Sequence, residues 1–333
     1  MRKPLIDIVI LTYKPDSRLF DLLERLKDQT IPATKIIIMN TEEKYLRNLL
    51  YGTRFLDNNP NVEIHHLSKL EFDHGRTRNK AAEYSSALYI LFMTQDALPL
   101  DSHLISELLS PMKNPEVAVS YARQVASYTA SPIEKYNRMF NYPEEDRLQN
   151  SGTLYEMGIK TYFCSDVCAC YRKKDFEEQG GFISPAIFNE DMIFAAEAVK
   201  RGKSIFYASK AQVLHSHDYT ASQQFHRNFD LGVSQANYPG IFDSLPVGKE
   251  GGKLVRGCIN YLISQGKFYL IPKFLIHCMA RYRGFKLGKK YTRLKRKAIL
   301  KYTMNPEYWK RYWDLTDVPD NLEAGYGKNA EGL

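Results

Sequence analysis

Ile6-Asp7-Ile8-Val9-Ile10-Leu11, followed by Thr12-Tyr13, is an aliphatic, mostly β-branched run with one charge. A run this apolar and this short reads as a strand buried on both faces, as in a parallel sheet. Residues 17–29 follow, with Leu19, Leu22, Leu23 and Leu26 at helical spacing. Residues 36–39 form a second strand, after which Thr41 reads as a helix N-cap with Glu42 and Glu43 in the first turn. Residues 62–65 are a third strand, 75–86 a helix of small residues and 88–93 a fourth buried strand. Strands alternating with helices at this spacing define parallel βαβ units.

Beyond these, residues 99–112 read as a helix, 118–122 as a strand and 128–150 as a polar, aromatic, weakly patterned stretch. Residues 164–171 form an apolar strand before a helix that ends at Gly180-Gly181; 191–201 are a helix and 204–207 a strand. From about 222 the pattern is helical and increasingly basic, which sets a catalytic domain at 1–235 and a helical region at 236–333. A chain of 333 residues suits one large α/β domain with an appendage. Hydrophobic residues at 44% and charged residues at 25% argue against disorder, collagen and coiled coil.

The net charge of +8 is uneven. Residues 281–311 hold twelve basic residues and one acid, Glu307, a net of +11; the remainder holds 34 basic and 37 acidic residues, or −3. Such a segment points to anionic lipid, nucleic acid or an acidic polymer, against the plainer reading of a solvated helix face. Five cysteines, at 164, 168, 170, 258 and 278, imply neither a disulfide framework nor a zinc site. The N-terminal apolar run is too short for a signal peptide, and no apolar stretch reaches membrane-spanning length, so the expected compartment is a reducing cytoplasm.

Open parallel sheets bind ligands at the carboxyl ends of their strands. The residues there are Thr12-Tyr13, Asn40-Thr41, Asp73-His74-Gly75-Arg76, Gln95-Asp96, Arg123-Gln124 and Cys164-Ser165-Asp166, polar nearly throughout, as one crevice requires. Asp96 ends a buried strand, where it either binds a hard divalent cation bridging a pyrophosphate or caps a helix. Glu190-Asp191 opens an amphipathic helix, as a general base or as a pair satisfying the helix dipole. His215 and His217 alternate in an extended stretch and point to one side, as metal or phosphate ligands or as structural residues. Arg76, Arg78 and Lys80 open a helix in the manner of a diphosphate site, or are surface charge. Neither G-x-G-x-x-G nor a P-loop is present, which removes the usual support for nicotinamide or ATP.

These residues together resemble a family 2 glycosyltransferase of the GT-A fold. More narrowly, Phe72-Asp73-His74-Gly75-Arg76-Thr77-Arg78-Asn79, Thr94-Gln95-Asp96-Ala97, Tyr121-Ala122-Arg123-Gln124 and Asn189-Glu190-Asp191-Met192 resemble bacterial rhamnosyltransferases. His215-Ser216-His217 with Phe225, Arg227, Phe229, Asp230, Leu231 and Gly232 extends the match, which runs over about 5–235. The resemblance implies an α/β fold, a Rossmann-like, mostly parallel mixed sheet flanked by helices, with a basic helical C-terminal extension. It implies inverting transfer of L-rhamnose from dTDP-L-rhamnose to a lipid-linked saccharide acceptor in cell-surface polysaccharide synthesis. Thr12 and Tyr13 then line the nucleoside pocket, Asn40 lies beside the base, Arg76 and Arg78 lie near the diphosphate or base, and Asn79 and Gln95 also bind the donor. Asp96 binds Mg2+ or Mn2+; since Thr94 and Ala97 break the Asp-x-Asp pattern, His217 is the expected second ligand and His215 a further candidate. Asp191 is the base, with Glu190 adjacent, and Arg123, Ser165, Asp166 and Asn189 face the acceptor. A UDP-glucose or UDP-galactose donor is the alternative, since many relatives have Asp where this chain has Asn40. A remoter alternative is a nucleic-acid-binding protein whose basic run is interleaved with Tyr282, Tyr291 and Tyr302.

The C-terminal region then meets anionic headgroups at the inner face of the cell membrane as a peripheral protein. A helix over 267–282, with Phe268, Leu270, Ile271, Phe274, Leu275 and Met279, is the candidate interfacial segment. The competing reading packs the same helices on the catalytic domain or in a homodimer.

Overall fold

The computed structural model describes residues 5–243 and 250–316. The chain forms two compact units: residues up to Ser184 with Glu190–His217, and Pro185–Asn189 with the residues from Asp218 onward.

The first unit is built on one mixed sheet. Its strands are β1 (Ile6–Tyr13), β2 (Lys35–Thr41), β3 (Val62–Leu67), β4 (Tyr89–Thr94), β5 (Leu98–Pro99), β6 (Val117–Val125), β7 (Arg147–Gln149), β8 (Cys168–Arg172) and β9 (Ser204–Leu214). Their order is β3-β2-β1-β4-β8-β6-β9-β5, with β7 on β9. β1 to β4 pair in parallel, as the βαβ spacing predicts. Ile6, Ile8, Val9 and Ile10 are fully buried, and the helix Arg18–Lys27 lays Leu19, Leu22, Leu23 and Leu26 into the core on one face of the sheet. Each fully buried Leu contributes about 1.5–3 kcal/mol of apolar burial.

β8 runs against both of its neighbours, β4 and β6. Met93 at the end of β4 therefore lies opposite Cys168 at the start of β8. Cys164-Ser165-Asp166 precedes a strand instead of forming its beginning, yet the reversal still puts it on the same edge as the ends of β1, β4 and β6.

Other elements depart from the sequence reading for identifiable reasons. The helix expected at 99–112 is confined to Leu104–Leu109 and a 3₁₀ turn at Pro111–Lys113, because Pro99 is held in β5 and Pro111 cannot sit in a helix interior. Thr41 is the last residue of β2, and Glu42, at φ 64°, makes the turn into the helix Glu43–Leu50. The stretch 128–150 contains the helix Pro132–Asn141, capped by Ser131, as well as β7. β6 and β9 outrun their apolar cores by continuing through Arg123-Gln124 and through Ser209-Lys210, polar residues that hide a strand signal. Their register jumps from Ala122↔Ala208 to Arg123↔Gln212, a bulge that bends β9. The bent end pairs with β5, Leu98 opposite Leu214.

The second unit is helical: Ala221–Asn237, Glu250–Ser264, Ile271–Gly288, Arg296–Tyr302 and Pro306–Thr316. Its core gathers Ile187, Phe229, Val233, Tyr291, Ile299, Tyr308 and Trp309. The helices Ala221–Asn237 and Ile271–Gly288 touch backbone to backbone. A Cβ added at Gly232, Gly284 or Gly288 would fall 2.4, 2.2 or 2.1 Å from the carbonyl oxygens of Phe285, Phe225 and Phe229. That contact groups the whole of Ala221–Asn237 with the second unit, whose main segment begins at Asp218. Residues 244–249 and 317–333 of the expected C-terminal region lie outside the described residues. No helix among the described residues is long and apolar enough to cross a membrane.

Candidate active site

Asp96 lies in the turn between β4 and β5, closed by the Ala97 N–H on the Thr94 carbonyl at 3.2 Å. Because β5 pairs with the end of β9, the residues leaving β9 arrive beside that turn. His217 Nε2 is 3.1 Å and His215 Nε2 3.6 Å from Asp96 Oδ2, and the two Nε2 atoms are 3.1 Å apart. Ligand atoms about 2.1–2.2 Å from one cation lie roughly 3 Å apart when adjacent, so one carboxylate oxygen and two imidazole nitrogens at these distances fit a divalent cation. These three residues are the group of potential ligands that the fold brings together among the described residues. Burial opposes ionisation of Asp96, but the hydrogen bond from His217 and the field of His215 overcome it and hold the carboxyl well below the usual range. Asp96 therefore stays an anion, the state a cation requires.

A second cluster surrounds Arg78. Arg78, expected near the diphosphate or base, has a side chain 4% exposed, with NH1 2.8 Å from Glu190 Oε1 and Nε 3.3 Å from Asp166 Oδ2. Tyr171 donates to Asp166 Oδ1 at 2.6 Å. Asp191 Oδ2 accepts from the Asp166 N–H at 3.2 Å and Oδ1 from the Met192 N–H at 2.8 Å. Two carboxylates, Glu190 and Asp166, thus share one guanidinium, with the Asp191 carboxylate close by. Burial pushes the Asp166 carboxyl up to about 6 despite Arg78. Burial and the neighbouring carboxylates Glu190 and Asp166 push Asp191 well above the ordinary range. That environment raises the basicity of the Asp191 carboxylate, which is partly open at the surface. The two clusters hang on adjacent strands, since the Thr94 N–H donates to the Val167 carbonyl at 3.1 Å, between Asp96 and Asp166.

The helix His74–Tyr84 begins at the N-cap Asp73, whose carboxylate accepts the Arg76 N–H at 2.8 Å. Arg76 is exposed, with Nε 3.4 Å from Ser184 Oγ. Asn79, read from the sequence as a donor contact, instead clasps one peptide: it accepts from the Phe182 N–H and donates to the Phe182 carbonyl, both at 2.8 Å. Gly181, at φ 75°, is required beside that clasp, since a Cβ would lie 2.6 Å from Asn79 Oδ1. Gly75 is tighter still, its Cβ position being 1.9 Å from the Ile183 carbonyl oxygen. Gly75→Ala is accordingly expected to cost about 1–3 kcal/mol, as overpacking against fixed backbone does. An unchanged urea midpoint would show that the 182–184 turn gives way freely.

At the β1–β2 edge, Thr12 donates to Asn40 Oδ1 at 3.0 Å, and Asn40 Nδ2 lies 3.0 Å from His66 Nδ1. Thr12 and Asn40 are buried, so the groups that face outward in this corner are others. Tyr13 is 40% exposed, with its ring 5.8 Å from that of Tyr45 in an edge-to-face pair and Lys14 Nζ 5.3 Å from both centroids. Gln95 is bonded to the Tyr13 backbone in both directions, accepting from its N–H at 3.0 Å and donating to its carbonyl at 3.1 Å. Of the residues expected at the acceptor, Arg123 pairs with Glu144 at 3.0 Å and Ser165 Oγ accepts from Gln124 Nε2 at 2.9 Å. Asp166 belongs to the Arg78 cluster, and Asn189, at φ 62°, donates to Ser234 Oγ at 3.2 Å within the second unit. Tyr45, Tyr171 and Gln124 carry weight that the sequence reading did not assign; only Gln124 stood in a quoted motif.

The mixed sheet with its reversed β8, flanked by helices, is a GT-A fold. A solved mannosyltransferase, PcManGT from Pyrobaculum calidifontis in complex with GDP-Man and Mn2+, shares the fold, with a TM-score of 0.54, 12% identity, and coverage of 94% of this chain and 88% of that one. The chain belongs to glycosyl transferase family 2, whose pattern matches residues 7–180. It is 34% identical to the O-antigen chain rhamnosyltransferase RfbN of Salmonella typhimurium, over 91% of this chain and 96% of that protein. It is 35% identical to the O-antigen chain rhamnosyltransferase WbaN of Salmonella anatum, over 85% of this chain and 88% of that protein.

Proposed function

We propose that this glycosyltransferase moves L-rhamnose from dTDP-L-rhamnose, with inversion, to a lipid-linked saccharide in O-antigen-type polysaccharide synthesis. The observation that carries the reading is Asp191, a carboxyl of raised basicity set on the same sheet edge as Asp96, in a chain whose relatives are rhamnosyltransferases. Those relatives leave the UDP-hexose alternative without comparable support, and the family assignment removes the case for nucleic-acid binding.

In this mechanism the Asp191 carboxylate takes the proton of the acceptor hydroxyl as that oxygen bonds to the anomeric carbon. The bond from that carbon to the diphosphate oxygen breaks, and dTDP leaves from the opposite face. Arg78 holds Asp166 and Glu190, and the Asp166 and Met192 N–H groups orient Asp191. Arg76, exposed at a helix N-terminus, is placed to meet the diphosphate. Asp96, His215 and His217 would hold a Mg2+ or Mn2+ ion, whose chemistry there would be to neutralise the charge that develops on the leaving group. Tyr13 offers an open ring for the thymine base, with Thr12 and Asn40 supporting its strand from within.

The test is turnover by the purified chain of dTDP-rhamnose, UDP-glucose, UDP-galactose and UDP-N-acetylglucosamine, with and without Mg2+ or Mn2+. Turnover of dTDP-rhamnose alone is expected. Preference for a UDP sugar would overturn the rhamnose assignment and leave the enzyme class standing.

The same proposal places the enzyme at the cytoplasmic face of the membrane. Phe274, expected in the interface, is fully buried, and the apolar face left open is Phe268, Tyr269, Leu275, Ile276, Met279 and Tyr282. The +11 run over 281–311 supplies charge complementary to anionic headgroups, about 1 kcal/mol per residue near the surface. Ile276→Glu with Met279→Glu is expected to abolish flotation with phosphatidylglycerol vesicles, while neutral vesicles bind neither form. Equal flotation of both forms would sink the lipid reading. A dimer in sedimentation that the same changes dissolve would replace it with a second copy of the chain.

A further inference from the structure

We infer that Gln124 and Arg138 are positioning residues for the cation-binding face, Arg138 setting the orientation of the Gln124 amide and Gln124 thereby setting which His215 nitrogen carries the hydrogen, so that Nε2 meets Asp96 with its lone pair. The inference rests on reading Asp96, His215 and His217 as a cation site.

The argument follows from what each group is able to donate. Arg138 comes from the helix Pro132–Asn141, where its Nε is 2.7 Å from Glu134 Oε1 one turn earlier. Its NH1 makes a short hydrogen bond to Gln124 Oε1. A guanidinium only donates, so the Gln124 atom facing it is the carbonyl oxygen. The other amide atom, Nε2, donates to Ser165 Oγ at 2.9 Å. The amide is thus held at both ends, and Gln124 is only 2% exposed.

The same oxygen, Oε1, lies 2.9 Å from His215 Nδ1. A carbonyl only accepts, so Nδ1 bears the hydrogen. Nε2 of the neutral ring then presents its lone pair to the space shared with Asp96 and His217. A metal-binding imidazole needs that arrangement, an N–H anchored on one side and a lone pair on the other. With the amide reversed, its NH2 group would face Nδ1, the ring hydrogen would move to Nε2, and a hydrogen would point at the cation position. Glu134 also anchors the main chain of the second histidine, its Oε1 accepting the backbone N–H of His217 at 3.3 Å. With a single carboxylate in the triad, both imidazoles have to be delivered in the correct form. The helix Pro132–Asn141, in the stretch that looked weakly patterned, supplies the device.

The test reads Mn2+ affinity by electron paramagnetic resonance on the full chain without donor sugar, beside thermal melts that confirm folding. Gln124→Met keeps the shape and removes the acceptor, and is expected to weaken Mn2+ binding about 10–100-fold, the usual cost of losing such a partner. Gln124→Glu presents an acceptor in either orientation and is expected to stay close to the unaltered chain. Arg138→Met is expected to weaken binding in the natural background and to have little effect in the Gln124→Glu background, where no orientation needs setting. A merely structural role would make Gln124→Glu as harmful as Gln124→Met and would make the Arg138 loss the same in both backgrounds; either result overturns the inference. Undiminished Mn2+ binding by Gln124→Met overturns it as well. Asp96→Ala separates the two levels: if it binds Mn2+ as well as the unaltered chain, or if the unaltered chain binds none, the cation-site reading fails and takes the positioning role with it.

Discussion

Asp191→Asn is expected to lower transfer by about 10²–10⁴-fold and to leave donor affinity within a few-fold. The amide keeps the size of the carboxyl, but its single oxygen can take the place of only one of the two that accept the Asp166 and Met192 N–H groups, so a thermal melt beside the assay checks that the turn before the helix Glu190–Lys200 keeps its geometry. What is lost is the lone pair that takes the hydroxyl proton. Single-turnover rates beside calorimetric titration of the donor separate the two effects, and a variant that transfers sugar at the natural rate would remove Asp191 from the mechanism. The same residue sets a pH dependence. Burial and the two neighbouring carboxylates raise the Asp191 carboxyl, so at low pH it is protonated and idle, and the rate is expected to climb as pH rises through its raised value. Glu190→Gln removes one of those negative charges and so stabilises the Asp191 anion. The acid limb of the rate profile should therefore move to lower pH, and movement the other way would contradict the charge argument.

Asp96→Ala should be nearly as damaging, with a rate loss on the order of 10²–10³-fold and a matching loss of Mn2+ affinity. Asp96 is the carboxylate of the triad, and neutral imidazoles alone hold a hard cation poorly. A thermal-shift series gives the check without turnover. Mn2+ at a hundred times its dissociation constant should stabilise the unaltered chain by about 2.7 kcal/mol and the variant hardly at all. Equal shifts in the two proteins would move the cation elsewhere. A chelator should reproduce the variant's rate in the natural chain.

The half of the fold from β1 to β4 was legible because β1, β2 and β4 are buried and announce themselves as near-continuous apolar runs, while the half-buried β3, Val62–Leu67, follows from the βαβ spacing. β8 was legible as a strand but not in direction, because Cys168 to Arg172 carries no mark of which neighbour it opposes. The outer halves of β6 and β9 were hidden because the residues that build the site there are polar. Within the candidate site, the grouping of Asp96 with His215 and His217 was legible from local context. The standing of Arg78 and Asn79 was not, since their partners Glu190 and Phe182 lie 112 and 103 residues away. A basic residue at a helix start looks the same in sequence whether it faces a phosphate or two buried carboxylates.

The glycine contact in the second unit bears on how such enzymes are recombined. Since Gly232 sits against Phe285 and Gly288 against Phe229 at backbone distance, the two helices fit only as a matched pair. A chimera joined at 235 would pair one parent's helix with the other parent's groove and should express poorly. A joint after His217 keeps the pair from a single parent, but Pro185–Asn189 groups with the same unit and has to be exchanged along with it. The transplantable module of this enzyme is discontinuous in the gene, and a crossover library built on single breakpoints will miss it.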